Sequence, residues 1–244
     1  MKGARVIVVL YIVALASPAV AQGIVGDVLS GSLIKPEPGV YAWYELHDKT
    51  TGRKFFVRQA IVGKEKVERK DGYWLETEII PEEGFPAIYK MLITGPASDP
   101  RNVHKIFIKE GAEPPIAVPV EVSDESSASK TKETRKSSGK EKVATPMGEI
   151  MAERIIITRE SDGQATGESP VQIWVNDDVR PMGIVKMVSD SGEMMLQRHG
   201  KGGPESESAM DRITPKTTTS ASGDLEVRVE GGVVVSPPPA EEQQ

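Results

Sequence analysis

In the stretch "GVYAWYELHD", residues 39–48, Val40, Ala42, Tyr44 and Leu46 share one side of an extended chain, and Tyr41, Trp43, Glu45 and His47 share the other. A period of two marks a half-buried β-strand. The pattern recurs in "KFFVRQAIVG", "YWLETEII", "AIYKMLITG", "HKIFIKEG", "IMAERIIITRE", "VQIWVND", "GIVKMVS" and "EMMLQRHG". Between these runs lie turn signals: "KTTGRK", the Asp71-Gly72 pair, "PEEGFP", "SDPRN" and "SDSG". Pro115 and Pro119 push "PIAVPVEV" to a sheet edge. No amphipathic helix of three turns interrupts the series, although "MGEIMAE" reads as a short helical turn. These features predict a mostly β protein: a strongly bent antiparallel meander, or incomplete β-barrel, of about eight to ten strands.

The pattern stops at residues 123–142, "SDESSASKTKETRKSSGKEK", which contain no large apolar side chain. Such a segment buries too little surface to offset the entropy of ordering. Residues 123–148 are therefore expected to form a disordered polar insert in a single domain spanning 39–200. Residues 22–38 read as a flexible lead, and 201–244 as a mostly disordered tail in which "DLEVRVEGGVVVS" carries a late-strand pattern.

The start of the chain bears on location. Lys2 and Arg5 precede an apolar run from Val6 to Ala16, and Ala19-Val20-Ala21 has the small-x-small form of a cleavage site. This is the pattern of a secretory signal peptide cut after Ala21, and it is too short for a membrane span. The expected location is the periplasm or the exterior, and the protein is not expected to be integral to a membrane. With no cysteine, the chain has no thiol to acylate, no disulfide framework and no thiolate metal site. A net charge of −6 gives no reason to expect nucleic acid.

The two faces of the expected sheet are unequal. One carries Ala42, Tyr44, Leu46, Leu75, Ile79, Tyr89, Met91, Ile93, Ile106, Ile108, Ile173 and Val175; the other carries Glu45, His47, Glu76, Glu78, Gln172 and Asn176. An apolar face with no helix to cover it must close on itself, take loops as cover, or hold an apolar ligand. The candidate ligand-binding residues are Tyr44, Leu46, Leu75, Tyr89, Met91, Ile93, Ile106 and Ile108.

Catalytic patterns are weak. His47, His104 and His199 lie in or beside turns, with no nucleophile elbow near them. Glu76 and Glu78 read as the wet side of a strand, and no metal-binding or phosphate-binding loop appears. The knot Asn176-Asp177-Asp178, with Arg180-Pro181 and Gly183, reads as a shaped strand-to-strand corner with a surface Asp178–Arg180 pair. Trp43, Trp74 and Trp174 fall on the polar side and read as cover for charged stems. No catalytic residue, metal or cofactor is assigned.

Three stretches together, "GVYAWYELHD", "IVGKEKVERKDGYWLETEI" and "IWVNDDVRPMGIVKM", resemble exported proteins of the lipoprotein-carrier (LolA/LolB-like) half-barrel group. The resemblance covers roughly residues 39–112 and 150–200. It implies a bent, incomplete barrel with an apolar concave face and non-covalent carriage or sensing of a lipid or acyl chain. It brings no catalytic residues. The expected function is thus a non-enzymatic exported binder of a lipid or acyl chain. The alternatives are a closed β scaffold that docks to an envelope protein and an unrecognised hydrolase.

Overall fold

The computed structural model describes residues 33–97, 99–120, 131–161, 164–165, 169–211, 216–219 and 225–228. The expected signal peptide, most of the lead and the first part of the polar insert lie outside these residues. The chain divides into two compact units after Met210.

The first unit contains β1 (Val40–Asp48), β2 (Lys54–Val67), β3 (Lys70–Pro81), β4 (Ala87–Ile93), β5 (Val103–Glu110), β6 (Ile116–Val118), β7 (Thr131–Thr145), β8 (Gly148–Ser161), β9 (Gln164–Ala165), β10 (Val171–Val175), β11 (Ile184–Val188) and β12 (Gly192–Lys201). They form one open antiparallel sheet in the order β6-β5-β4-β3-β2-β1-β12-β11-β10-β8-β7, with β9 paired to β8. Most neighbours are consecutive hairpins, and the β1–β12 pairing joins the two halves of the meander. The second unit contains an antiparallel pair, β13 (Lys216–Thr219) and β14 (Leu225–Arg228). The late-strand pattern thus falls partly on β14.

The mostly β, open antiparallel fold is the one the alternation predicts. The main sheet holds twelve strands rather than eight to ten, chiefly because the expected insert is a strand from Thr131 onward. Polar residues suffice there because β7 is an edge strand whose ladder to β8 supplies its backbone hydrogen bonds. Thr145 closes a tight hairpin onto Gly148, Lys142 Nζ pairs with Glu149 Oε2 at 2.8 Å, and Val143 is buried. The short helical turn expected at "MGEIMAE" is the start of β8.

The β2–β3 turn also falls elsewhere than expected. Val67 pairs with Lys70, so the chain reverses at Glu68-Arg69, with Glu68 at φ 54, and Asp71-Gly72 lies inside β3. Gly72 is needed for another reason: a Cβ there would meet Leu92 Cδ1 and Val67 Cγ2 at 3.0 Å. The three-residue β6 is the edge element that its flanking prolines predict.

The registers confirm the apolar face. Tyr44 pairs with Val57 and Val57 with Ile79, while Leu75 pairs with Met91 and Met91 with Ile106. One core cluster joins Ala42, Tyr44, Leu46 and Val57 to Met187, Met194 and Leu196, and takes in Val143 from β7. A second joins Leu75, Met91, Ile93 and Val103, and Leu33 packs against both.

The "IWVNDDVRPMGIVKM" knot is a structural corner. Asn176 Oδ1 accepts the Asp178 amide at 2.7 Å, Asn176 Nδ2 donates to Met151 O at 2.8 Å, and Gly183 N donates to Val179 O at 2.6 Å. Arg180 does not serve as a surface partner to Asp178. It donates to Glu37 Oε2 at 2.9 Å, while Ile34 N donates to Pro181 O at 2.8 Å. The corner therefore ties residues 34–37 of the lead to the sheet.

Candidate functional site

The apolar face is uneven in exposure. Tyr44, Leu46, Leu75 and Ile93 are 0–2% exposed and packed within the two core clusters. Met91 is buried beside them and Ile106 packs against the second cluster half-buried. Tyr89 and Ile108 form a half-buried cross-strand pair. Next to Ile108 across the sheet stands Ile116, 66% exposed. The eight candidate ligand residues thus divide into a packed group and an open pair, Tyr89 and Ile108 on β4 and β5, which Ile116 on β6 extends into a row.

A cleft of about 480 Å³ opens at the end of that row, lined by Phe85, Pro86, Ala87, Glu110, Gly111, Ala112 and Glu113. Ala87 pairs with Glu110 two positions along from the Tyr89–Ile108 pair, so its lining continues the same face. Phe85, at the tip of the β3–β4 turn, is 82% exposed. A smaller cavity of about 190 Å³ lies at the opposite end, between Leu33, Pro36, Tyr73, Ile93 and Pro96. Within the packed part, the hydroxyls of Tyr44 and Thr77 are buried with no hydrogen-bond partner among the described residues. Burial pushes the Tyr44 phenol well above its ordinary range.

The reverse face of the same strands holds a different arrangement. Arg58, between Val57 and Gln59 on β2, is fully buried. Its Nε donates to Glu78 Oε2 at 2.9 Å, and its Nη2 donates to Glu76 Oε1. Glu76 and Glu78 are therefore not the wet side of the sheet. Glu76 and its partner Arg58 are enclosed because the chain after β12 crosses over them. A short 3-10 turn, Pro204–Ser206, sits against β1 and β2, and the segment runs on to Met210. The expected loose tail is thus ordered on the sheet through Met210.

Each side chain beneath this segment reads it differently. Arg58 Nη1 donates to Glu205 O at 2.8 Å and Glu207 O at 3.2 Å. Glu76 accepts from Ser208 Oγ at 2.6 Å, Ala209 N at 2.7 Å and Met210 N at 3.5 Å. Lys90 Nζ donates to Ser208 Oγ at 3.1 Å, and Lys109 Nζ donates to Met210 O at 3.3 Å. The Glu205 carboxylate accepts from Trp43 Nε1 at 2.9 Å and from Arg198 Nη2 at 2.5 Å. Ala209 and Met210 pack with Ile88, and Phe107 closes the patch. A charge inside the apolar run "VRQAIV" was the sequence signal for this site, and its meaning depended on a cover that the Gly/Ser/Glu-rich segment did not announce.

The tryptophans share one construction. Trp43 lies under Arg198, with Cζ 5.3 Å from the ring centroid. Trp74 is flanked by Lys90 and Lys105 and donates to Glu65 Oε2 at 3.1 Å. Trp174 is flanked by Arg154 and Lys186 and donates to Glu141. They cover charged stems, as their parity suggests, and each indole N–H is anchored by a glutamate.

The histidines are placed apart from such networks. His47 is exposed near the end of β1, His104 is 2.9 Å from Thr94 Oγ1, and His199 is half-buried on β12. Among the described residues, no group of three or more His, Cys, Asp or Glu side chains could hold a metal ion. Among the same residues no helix is long and apolar enough to cross a membrane, which says nothing of a β-barrel.

No family model and no curated protein matches the chain. Two solved structures are similar to it. One is a protein from Bacteroides fragilis described as exported, with a YmcC-like fold, at 9% identity and TM-score 0.40, covering 70% of this chain and 100% of that one. The other, from Parabacteroides distasonis, is described as a lipoprotein, at 11% identity and TM-score 0.35, covering 70% of this chain and 99% of that one.

Proposed function

We propose that this chain is an exported, non-catalytic binding protein whose ligand is an acyl chain laid along the apolar face of β4–β6. The observation that carries the reading is the open row Tyr89, Ile108 and Ile116, which leads into the cleft at Ala87 and Glu110. That cleft falls within the ~300–1,000 Å³ usual for small-ligand sites. Each methylene buried there contributes ~0.8 kcal/mol, so half of a fatty chain offsets much of the cost of association. The signal-peptide pattern before Gln22 and the resemblance to lipoprotein carriers point the same way. A non-catalytic role fits the engagement of Glu76 and Glu78 by Arg58, which leaves them no evident acid–base task.

A closed scaffold that docks to an envelope protein is the second reading. The packing of Tyr44, Leu46, Leu75 and Ile93 favours it, because that part of the face is filled by the protein itself. Native mass spectrometry of protein purified from its own host separates the two. A lipid-sized mass excess, released by detergent, is expected; a clean apo mass removes the acyl reading and leaves the scaffold.

A further inference from the structure

We infer that the reverse face of β1–β5 is a groove for a short peptide that enters as a 3-10 turn, and that Pro204–Met210 is its releasable occupant, held in cis. The bonds have the form of peptide recognition. Arg58, Glu76 and Lys109 take backbone carbonyls and amides of the segment, rather than a strand ladder doing so. Specificity comes from three side-chain sites: Trp43 with Arg198 for the Glu205 carboxylate, Glu76 with Lys90 for Ser208, and an apolar seat at Ile88 and Phe107 for Ala209 and Met210. The groove thus fits a turn-forming segment with a carboxylate in a 3-10 turn, then a hydroxyl three residues on, then two apolar residues.

The charged part of the floor, at Arg58 and Glu76, favours release, and the apolar seat at Ile88 and Phe107 opposes it. Arg58 and Glu76 have no exposed side-chain surface while the segment is seated. An apolar floor would oppose opening, because uncovering it costs free energy in proportion to its area. Charged groups regain hydration when uncovered, and a buried ion pair is a weak stabiliser compared with apolar packing of the same volume. Gly203 provides the hinge, just beyond the Gly202 N–Gly39 O bond at 2.9 Å that fixes the end of β12: its φ is 71, and a Cβ on it would meet nothing within 4 Å. The segment can therefore swing without dragging β12 with it.

The test uses the full chain and a fluorescent peptide of residues 203–211. The cis segment is loosened by Glu205→Ala with Met210→Ala, and peptide binding is read by anisotropy. Because a cis occupant lowers apparent affinity by the fraction of open groove, the loosened chain should bind the peptide at least about tenfold more tightly than the unaltered chain. A peptide carrying Glu205→Lys should not bind. Equal or absent binding by a folded loosened chain would overturn the proposal, as would a dimeric mass that takes up no peptide. Should the loosened chain fail to fold, hydrogen exchange on the unaltered protein decides. The Ala209 amide should exchange through local opening, well ahead of Leu75 in the sheet; exchange of both only on global unfolding contradicts a releasable segment.

Discussion

Arg58 Nε donates to Glu78 Oε2 at 2.9 Å across a directly registered pair of β2 and β3, and no part of the Arg58 side chain reaches solvent. With Glu76 as its second acceptor, the guanidinium organises both the sheet below and the segment above. Replacing it by Met should cost about 3–5 kcal/mol, because two carboxylates are left without their cation. The variant with Arg58→Met, Glu76→Leu and Glu78→Leu should regain much of that loss in urea denaturation. In that variant residues 203–210 should become sensitive to protease, since the groups that held their backbone are gone. A triple variant as unstable as the single one would contradict this division of roles.

The corner at residues 176–183 predicts a coupled pair. Gly183 has φ +77, and a Cβ there would collide with Ile34 Cδ1. Gly183→Ala should cost about 1–3 kcal/mol from the backbone alone, with a further loss from displacing Ile34. Ile34→Ala in that background should recover the collision and not the backbone part. Strict additivity of the two substitutions in thermal melts would mean that the lead does not pack on the corner.

Strand β7 bears directly on stability. Val143 is 7% exposed and belongs to the main core cluster. Val143→Asp should abolish cooperative melting, or lower the midpoint sharply, by burying an unpaired carboxylate. Lys136→Gln on the exposed part of β7 should leave the melt within about 0.5 kcal/mol of the unaltered protein. Equal, small effects at both positions would show that β7 is dispensable.

Acid should weaken the fold in two stages. Burial holds His199 below its ordinary 6.5; Arg180 lowers it further and Asp178 opposes both. A histidine depressed in the folded state binds protons more readily when unfolded, so stability falls as pH drops from 6.5 toward the folded value. Below that, Glu65 beside Lys105, Asp71 between Lys66 and Lys64, and Glu37 beside Lys201 and Arg180 are all held below their usual carboxylate range. Their stabilisation is present above the unfolded values and is lost as pH falls through the folded ones. His199→Gln should remove the upper stage in chemical denaturation while retaining the lower one.

Much of the sheet was legible because its core strands bury one face. The alternation in β1, β3 and β4 sets which residues point inward, and the observed registers follow it. β7 was not legible, because an edge strand draws its order from a neighbour's backbone and "TKETRKSSGKEK" has no periodic apolar set. The Asp71-Gly72 signal misled for a related reason: Gly72 answers a packing need between Leu92 and Val67, and the turn is made by Glu68-Arg69. Parity puts Glu76 and Glu78 on the polar side, and it reports which side a residue faces, not what later lies across that side. The enclosure of Glu76 depends on residues more than a hundred positions away, Ser208 to Met210.

Titration with a fluorescent fatty acid checks whether the open row Tyr89, Ile108 and Ile116 on β4–β6 takes an acyl chain. Ile108 is half-buried on that row, outside the packed clusters, so Ile108→Asp places a charge in the ligand's path while sparing the core. The unaltered protein should show saturable binding of one chain, and folded Ile108→Asp protein should bind at least about tenfold more weakly, since a carboxylate desolvated by the ligand costs more than ~1.4 kcal/mol. No saturable binding by the folded unaltered protein, or equal binding by the two, would rule out an acyl-chain site on this row.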